Sequence, residues 1–144
     1  MFSSAPTMPF GRPPQFAQAY RNMAAETGIA DASPHRLVAM LYDGFLEAVA
    51  EARGALRAQD VQRKGRAIGR AVRIVEEGLR AGLNLKAGGT LAADLDQLYG
   101  YVGMRLTQAN LNNSDAALDE CQRLLQPLRD AWMSIGTPTA RHDA

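Results

Sequence analysis

The stretch SPHRLVAMLYDGFLEAVAEARGALRA, residues 33–58, decides the fold. Ser33 followed by Pro34 is a helix entrance: a serine hydroxyl accepts one of the orphan amides of a first turn, and proline is tolerated at the first helical position because its missing N–H has no intrahelical partner there. Behind that entrance Leu37, Val38, Leu41, Phe45, Val49, Ala52 and Leu56 return every three or four residues, which is the spacing of one buried face on an α-helix. No alternation of period two competes with it. A helix from about residue 34 to 58 with an apolar stripe along its whole length needs other helices to cover that stripe.

The rest of the chain supplies three of them. Asp60 is placed to cap a second helix over about 61–84, with Ile68, Val72, Val75, Leu79 and Leu83 inward, until Gly88 and Gly89 break the pattern. Thr90 is placed to cap a third over about 91–112, with Leu91, Leu95, Leu98, Val102, Leu106 and Ala109 inward. Ser114 or Asp115 opens a fourth over about 115–135, with Leu118, Cys121, Leu125, Leu128, Trp132 and Ile135 inward; Gly136 and Pro138 end it. Pro127 lies inside this last helix, where a proline removes a backbone bond and costs about 3 kcal/mol, so a kink is expected there. Short connections between helices of similar length imply antiparallel neighbours. The predicted fold is all-α: an antiparallel up-and-down four-helix bundle, residues 16–136, with a short N-terminal helical arm at 16–26. Residues 1–15, with four prolines, and the polar residues 137–144 read as disordered tails.

Composition narrows the function. The 144 residues suit one domain with a single core, and 16 Lys+Arg against 15 Asp+Glu leave a net charge of +1, too little to draw the chain to nucleic acid or an anionic membrane as a whole. One cysteine, no secretory leader pattern and no apolar run near the roughly 20 residues that span a bilayer predict a cytoplasmic protein without membrane insertion. Neither His35 nor His142 stands in a Glu-x-x-His pair, so a di-metal carboxylate site is not expected, and both histidines read as solvated. Cys121 falls on a core stripe and reads as a small buried apolar residue. With no phosphate-cradling loop either, neither an enzyme nor a cofactor is predicted. Arg63, Arg66, Arg70, Arg73 and Arg80 gather on one side of helix two, but Glu77 interrupts them and no aromatic residues interleave, so a solvated outer face is the expectation.

Two helices carry more apolar surface than one stripe. Helix two has a second patch of Ala67, Ala71, Ile74, Gly78 and Ala81, and helix three shows Ala93, Gly100, Tyr101, Met104 and Leu111 away from its own inward face, with Gln108 on the same side. These residues fit the edges of a wide core stripe, and they fit equally an exposed groove that accepts a foreign amphipathic helix through anchors at i, i+3, i+4 and i+7. A segment of the same chain near Tyr20 is placed in sequence to cover such a groove when it is empty, or to pack permanently on the bundle.

The motifs Ala19-Tyr20, Ala32-Ser33-Pro34-His35, Met40-Leu41-Tyr42-Asp43-Gly44, Gly78-Leu79 with Ala81-Gly82-Leu83, Gly88-Gly89, Leu98-Tyr99 with Tyr101, Arg105-Leu106, Ala109-Asn110-Leu111 and Ala131-Trp132 resemble, in order and over about 19–135, those of the FliS flagellar secretion chaperones. That resemblance implies a non-enzymatic cytoplasmic chaperone that binds the disordered C-terminal segment of flagellin, prevents its premature polymerisation and assists its delivery to the type III export apparatus. It further implies an amino-terminal segment that covers part of the client surface, with Tyr20 matching its tyrosine, and contacts with an export-gate membrane protein, an anti-sigma factor and a co-chaperone. The expected partner-binding residues are Tyr20, Ala67, Ala71, Ile74, Gly78, Tyr101, Met104, Gln108 and Leu111. Ala87, Thr90, Asp94 and Gly100 depart from the family pattern around the start of helix three. A regulatory module that sequesters an anti-sigma factor and a self-associating structural bundle are the alternatives.

Overall fold

The computed structural model describes residues 33–135. Four helices follow one another: α1 Pro34–Arg57, α2 Val61–Arg73, α3 Gly89–Asn112 and α4 Asp115–Ile135, and α2 runs on into a π-helical segment, Ile74–Arg80. Each helix packs on its sequence neighbour, and α4 closes the ring on α1. This is the antiparallel four-helix bundle that the apolar stripes require. The arm at 16–26, Tyr20, both tails and the stop signals Gly136 and Pro138 lie outside the described residues.

Three of the helix starts are capped as the sequence indicates. Ser33 Oγ accepts the N–H of Arg36 at 3.2 Å, Asp60 Oδ1 that of Arg63 at 3.1 Å, and Ser114 Oγ that of Ala117 at 3.1 Å. Thr90 is a correction. The third helix begins two residues earlier, at Gly89, with Gly88 at the cap position and no capping side chain. The turn demands both glycines: Gly89 has φ +60°, a left-handed conformation, and a Cβ on Gly88 would lie 2.5 Å from the Ala92 Cβ and 2.8 Å from the Asn84 carbonyl oxygen. Helix two is also shorter than its periodicity indicates. Its last stretch widens to i→i−5 bonding, as in Ala81 N–H to the Glu76 carbonyl at 3.0 Å, and the chain turns from Ala81 onward.

The core holds the expected stripes of α1, with Phe45, Val49 and Ala52 fully enclosed, and Ile68, Val75, Leu79, Val102, Leu106, Ala109, Leu118, Cys121 and Leu125 from the other helices. Val72, Leu95, Leu98, Leu128 and Trp132 are half-buried against it. Leu91 and Ile135, expected inward, are exposed, because each sits in a terminal turn at the same pole of the bundle, beyond the reach of the neighbouring helices. Cys121 is buried, its thiol near the Val102 carbonyl and its pKa pushed up to about 12 by burial.

Polar contacts fix which helices meet. Arg53 of α1 donates two hydrogen bonds to Asp115, at 2.8 and 2.9 Å, and others to Asp119 and Gln122 of α4; farther along, Arg129 reaches Asp43 at 2.8 Å. Lys64, the one buried charged residue among those described, donates to the Asn110 carbonyl at 3.0 Å and to the Asn113 side chain, tying α2 to the C-terminal end of α3. At the opposite pole His35 is corrected from a solvated residue to half of a clasp. Its ring stacks on Trp132 at 4.7 Å, its Nε2–H donates to the Trp132 carbonyl, and Trp132 Nε1–H donates to the His35 carbonyl at 2.9 Å.

One polar pair lies wholly inside. The Tyr42 and Tyr99 hydroxyls are 2.7 Å apart, and burial raises the pKa of both, so both remain protonated and each satisfies the other. Removing one hydroxyl strands its partner at about 1–3 kcal/mol, whereas removing both leaves no orphan. Tyr99→Phe is therefore expected to lower the unfolding free energy by about that amount, and the Tyr42→Phe, Tyr99→Phe double variant by markedly less than the sum of the two single changes; a double-mutant cycle in urea measures it.

Candidate partner-binding site

The α3 helix has its core side set by Tyr99, Val102, Leu106 and Ala109, all buried. Helical spacing places Tyr101, Met104, Gln108 and Leu111, at i, i+3, i+7 and i+10, on the opposite side. There Tyr101 is 40 % exposed, Met104 46 % and Leu111 75 %, a run of large apolar side chains over three turns with no covering element among the described residues. Ala93 and Gln97 extend the same line toward the helix start and are also exposed. A solvated helix needs no such surface.

The four expected contributors from α2 are placed differently. Ala67, Ala71, Ile74 and Gly78 are buried, Ala71 completely and Ile74 to 3 % exposure, so the open trough expected along them is not there. The reason is the contact between α1 and α2, the most extensive in the bundle. Small residues let the two backbones approach closely; a Cβ on Gly78 would stand 2.9 Å from Leu41 Cδ2 of α1. The two apolar patches of helix two are one wide core face, and Ala81 is its half-buried end.

A charged lattice flanks the α3 line on the α4 side. Tyr101 donates its hydroxyl hydrogen to Glu120 Oε2 at 2.7 Å, Arg105 Nε–H donates to Glu120 Oε1 at 2.8 Å, and Arg105 also donates to Gln108 Oε1 at 2.9 Å. Glu120 thus orients the ring of Tyr101 and, through Arg105, the amide of Gln108. On the α2 side Arg80 reaches Asp96 at 2.8 Å and Glu76 at 3.2 Å, lying over Gly100, while Glu76 occupies the space a side chain at Gly103 would fill. The two absent side chains on α3 are what let this ion cluster sit between the helices.

The hydrogen bonds from Tyr101 and Arg105 hold the Glu120 carboxyl below the usual glutamate range; Arg53 does the same for Asp115, and Arg123 with Arg53 for Asp119. A carboxylate with a depressed folded-state pKa stabilises the fold fully above its unfolded value, and that contribution disappears as pH falls through the folded value. Melting temperature is accordingly expected to decline as pH drops through and below the ordinary carboxylate range. Glu120→Gln should flatten part of that decline, as thermal melts at stepped pH would record.

Among the described residues no group of His, Cys, Asp and Glu is arranged to hold a metal ion, and no helix is long and apolar enough to cross a membrane. A shallow cavity of about 240 Å³ opens beside Lys64 at the α1–α2 turn, away from the α3 line. The chain is in these terms an all-helical bundle that presents an apolar helix face framed by ion pairs, a scaffold suited to holding another helix.

Comparison with known proteins supplies the family. The family model described as flagellar protein FliS matches residues 16–139, and the chain belongs to that family. It is 42 % identical over 118 residues to the flagellar secretion chaperone FliS of Salmonella typhimurium, covering 82 % of this chain and 87 % of that one. To the flagellar secretion chaperone FliSB of Pseudomonas aeruginosa it is 41 % identical over 116 residues, 81 % and 91 % of the two chains. To the FliS of Escherichia coli it is 37 % identical over 127 residues, 88 % and 93 %.

Proposed function

We propose that this protein is a flagellar secretion chaperone that binds the disordered C-terminal segment of flagellin in the cytoplasm, keeps it from polymerising and hands it to the export apparatus. The observation that carries the reading is the exposed line Tyr101, Met104 and Leu111 on α3, with the half-buried Gln108 on the same side, in a member of this family. Its chemistry is binding alone, with no bond made or broken.

Burying an apolar side chain of this size contributes about 1.5–3 kcal/mol, and ordering a disordered client costs about 2–5 kcal/mol. One anchor does not suffice; three along one helix do. A client helix laid on α3 hides its own apolar face, and that is the face it needs for assembly with its like. Tyr20 is carried in this proposal as a further contact from the arm, and the export-gate membrane protein, an anti-sigma factor and a co-chaperone as further partners. The relatives are named as secretion chaperones, which favours this reading over a regulatory helix-sequestering module or a self-associating bundle. Calorimetric titration with the C-terminal flagellin segment tests it: saturable one-to-one binding is expected, and a folded protein that takes up no segment rejects it.

A further inference from the structure

The outward side of α2 holds charge that the fold leaves unused. Arg63 pairs with Glu51 at 3.4 Å and Arg80 with Asp96 at 2.8 Å, but the guanidinium groups of Arg66, Arg70 and Arg73, at i, i+4 and i+7, form no ion pair or hydrogen bond among the described residues. Three like charges on adjacent turns repel one another. Glu77 is the carboxylate that helical spacing places nearest them on that outer side; it is exposed, as are Arg66 and Arg73, while Arg70 is half-buried.

Beside these arginines the surface of α2 dips. Gly65 and Gly69 would each carry a Cβ into open space among the described residues. Their position is fixed by two neighbours that reach α3: Lys64, bonded to the Asn110 carbonyl, and Glu76, seated at Gly103. Around the helix, Gly65 and the half-buried Val72 fall between those two directions, and Gly69 falls just outside them, next to the arginines. The same two contacts set the antiparallel register, bringing Gly65–Val72 alongside the part of α3 that carries Met104 and Leu111. A shallow trough results. Val72, Gly65 and Gly69 form its floor, Met104 and Leu111 its bank on α3, and Arg66, Arg70 and Arg73 its outer bank.

We propose that this trough seats a client helix that turns small and apolar residues inward and sets carboxylates along the flank over Arg66, Arg70 and Arg73. The inference rests on the reading that the α3 line holds a client, and it adds what selects the client. Unpaired guanidinium groups are complementary to an acidic flank, and charges at the rim of an interface act on encounter rate and on the choice of partner. Interleaved aromatics, which would let the same arginines hold nucleic-acid bases, are absent from this stretch of α2.

The experiment measures affinity of the full chain for the C-terminal segment of its own organism's flagellin at low and high salt, with circular dichroism to check folding. Wild type is compared with the Arg66→Glu, Arg70→Glu, Arg73→Glu triple variant, with Gly69→Leu, and with Met104→Glu. At low salt the triple variant is expected to bind about tenfold more weakly, a difference that shrinks at high salt as the charges are screened. A segment with its carboxylates changed to lysines should recover affinity for that variant, and Gly69→Leu, whose Cβ enters open space, should weaken binding at both salts. If the triple variant and Gly69→Leu bind as wild type while Met104→Glu does not, the trough is overturned and the α3 reading stands. If none of the variants changes affinity, both fall. Salt-sensitive RNA binding that the triple variant loses, with client affinity unchanged, also overturns the inference.

Discussion

Met104→Glu is expected to reduce affinity for the flagellin segment by about 10- to 100-fold while leaving the melting temperature within about 2 °C of wild type. Met104 is nearly half exposed and stands on the outer side of α3, so a carboxylate there remains hydrated in the free protein and disturbs no core contact. In the complex it would have to be buried against the client's apolar face, and an unpaired carboxylate in such a place costs more than the lost thioether. Leu111→Glu should act in the same direction and, at 75 % exposure, more weakly, since a side chain so far out is less completely covered. A loss of binding accompanied by loss of helical signal would point to unfolding, and a charge tolerated at both positions would show that the client lies elsewhere. Isothermal titration with parallel thermal melts separates these results.

Phe45→Ala should do the reverse, undermining the fold with no direct effect on the binding face. Phe45 is fully enclosed at the centre of α1, and truncating such a ring costs about 3–5 kcal/mol through lost burial and the cavity left behind. Against the roughly 5–15 kcal/mol that holds a domain of this size together, the melting temperature should fall by about 10–30 °C. Because the client binds the folded form, adding it in excess should recover part of that loss, by mass action. A variant that melts early and gains nothing from the client would contradict the separation between core and face.

Much of this was legible before any coordinates. The caps at Ser33, Asp60 and Ser114 and the i, i+3, i+4 stripes located the four helices, because those signals are local: a hydroxyl three residues from an amide, an apolar side chain one turn from the next. The exposed line of α3 was legible for a related reason, since that helix has one well-marked core side and Tyr101, Met104 and Leu111 stand opposite it. Helix two defeated the same reasoning. Its periodicity shows two apolar patches, and whether both are covered depends on how closely α1 approaches, which small residues such as Gly78, set against Leu41 across the chain, decide. Gly65 and Gly69, helix-weakening residues of about 1 kcal/mol each, are the sequence signal on the other side of this helix, and a Cβ at either would meet nothing among the described residues. The His35–Trp132 clasp joins residues 97 apart, the buried Lys64 answers to the end of α3, and the π-helical segment changes the bonding register without changing composition; none of these leaves a trace at the scale of one turn.

The seat of the client on α3 is tested most directly by methyl NMR on protein labelled at its methionines. Among the described residues Met104 stands on the proposed face, whereas Met40 is half-buried against the core and Met133 lies at the far pole, so the three report separately. Titration with the C-terminal flagellin segment should shift and broaden the Met104 methyl resonance while that of Met40 holds its position. A segment that binds with measurable heat and leaves the Met104 resonance where it began would contradict a client seat on this face.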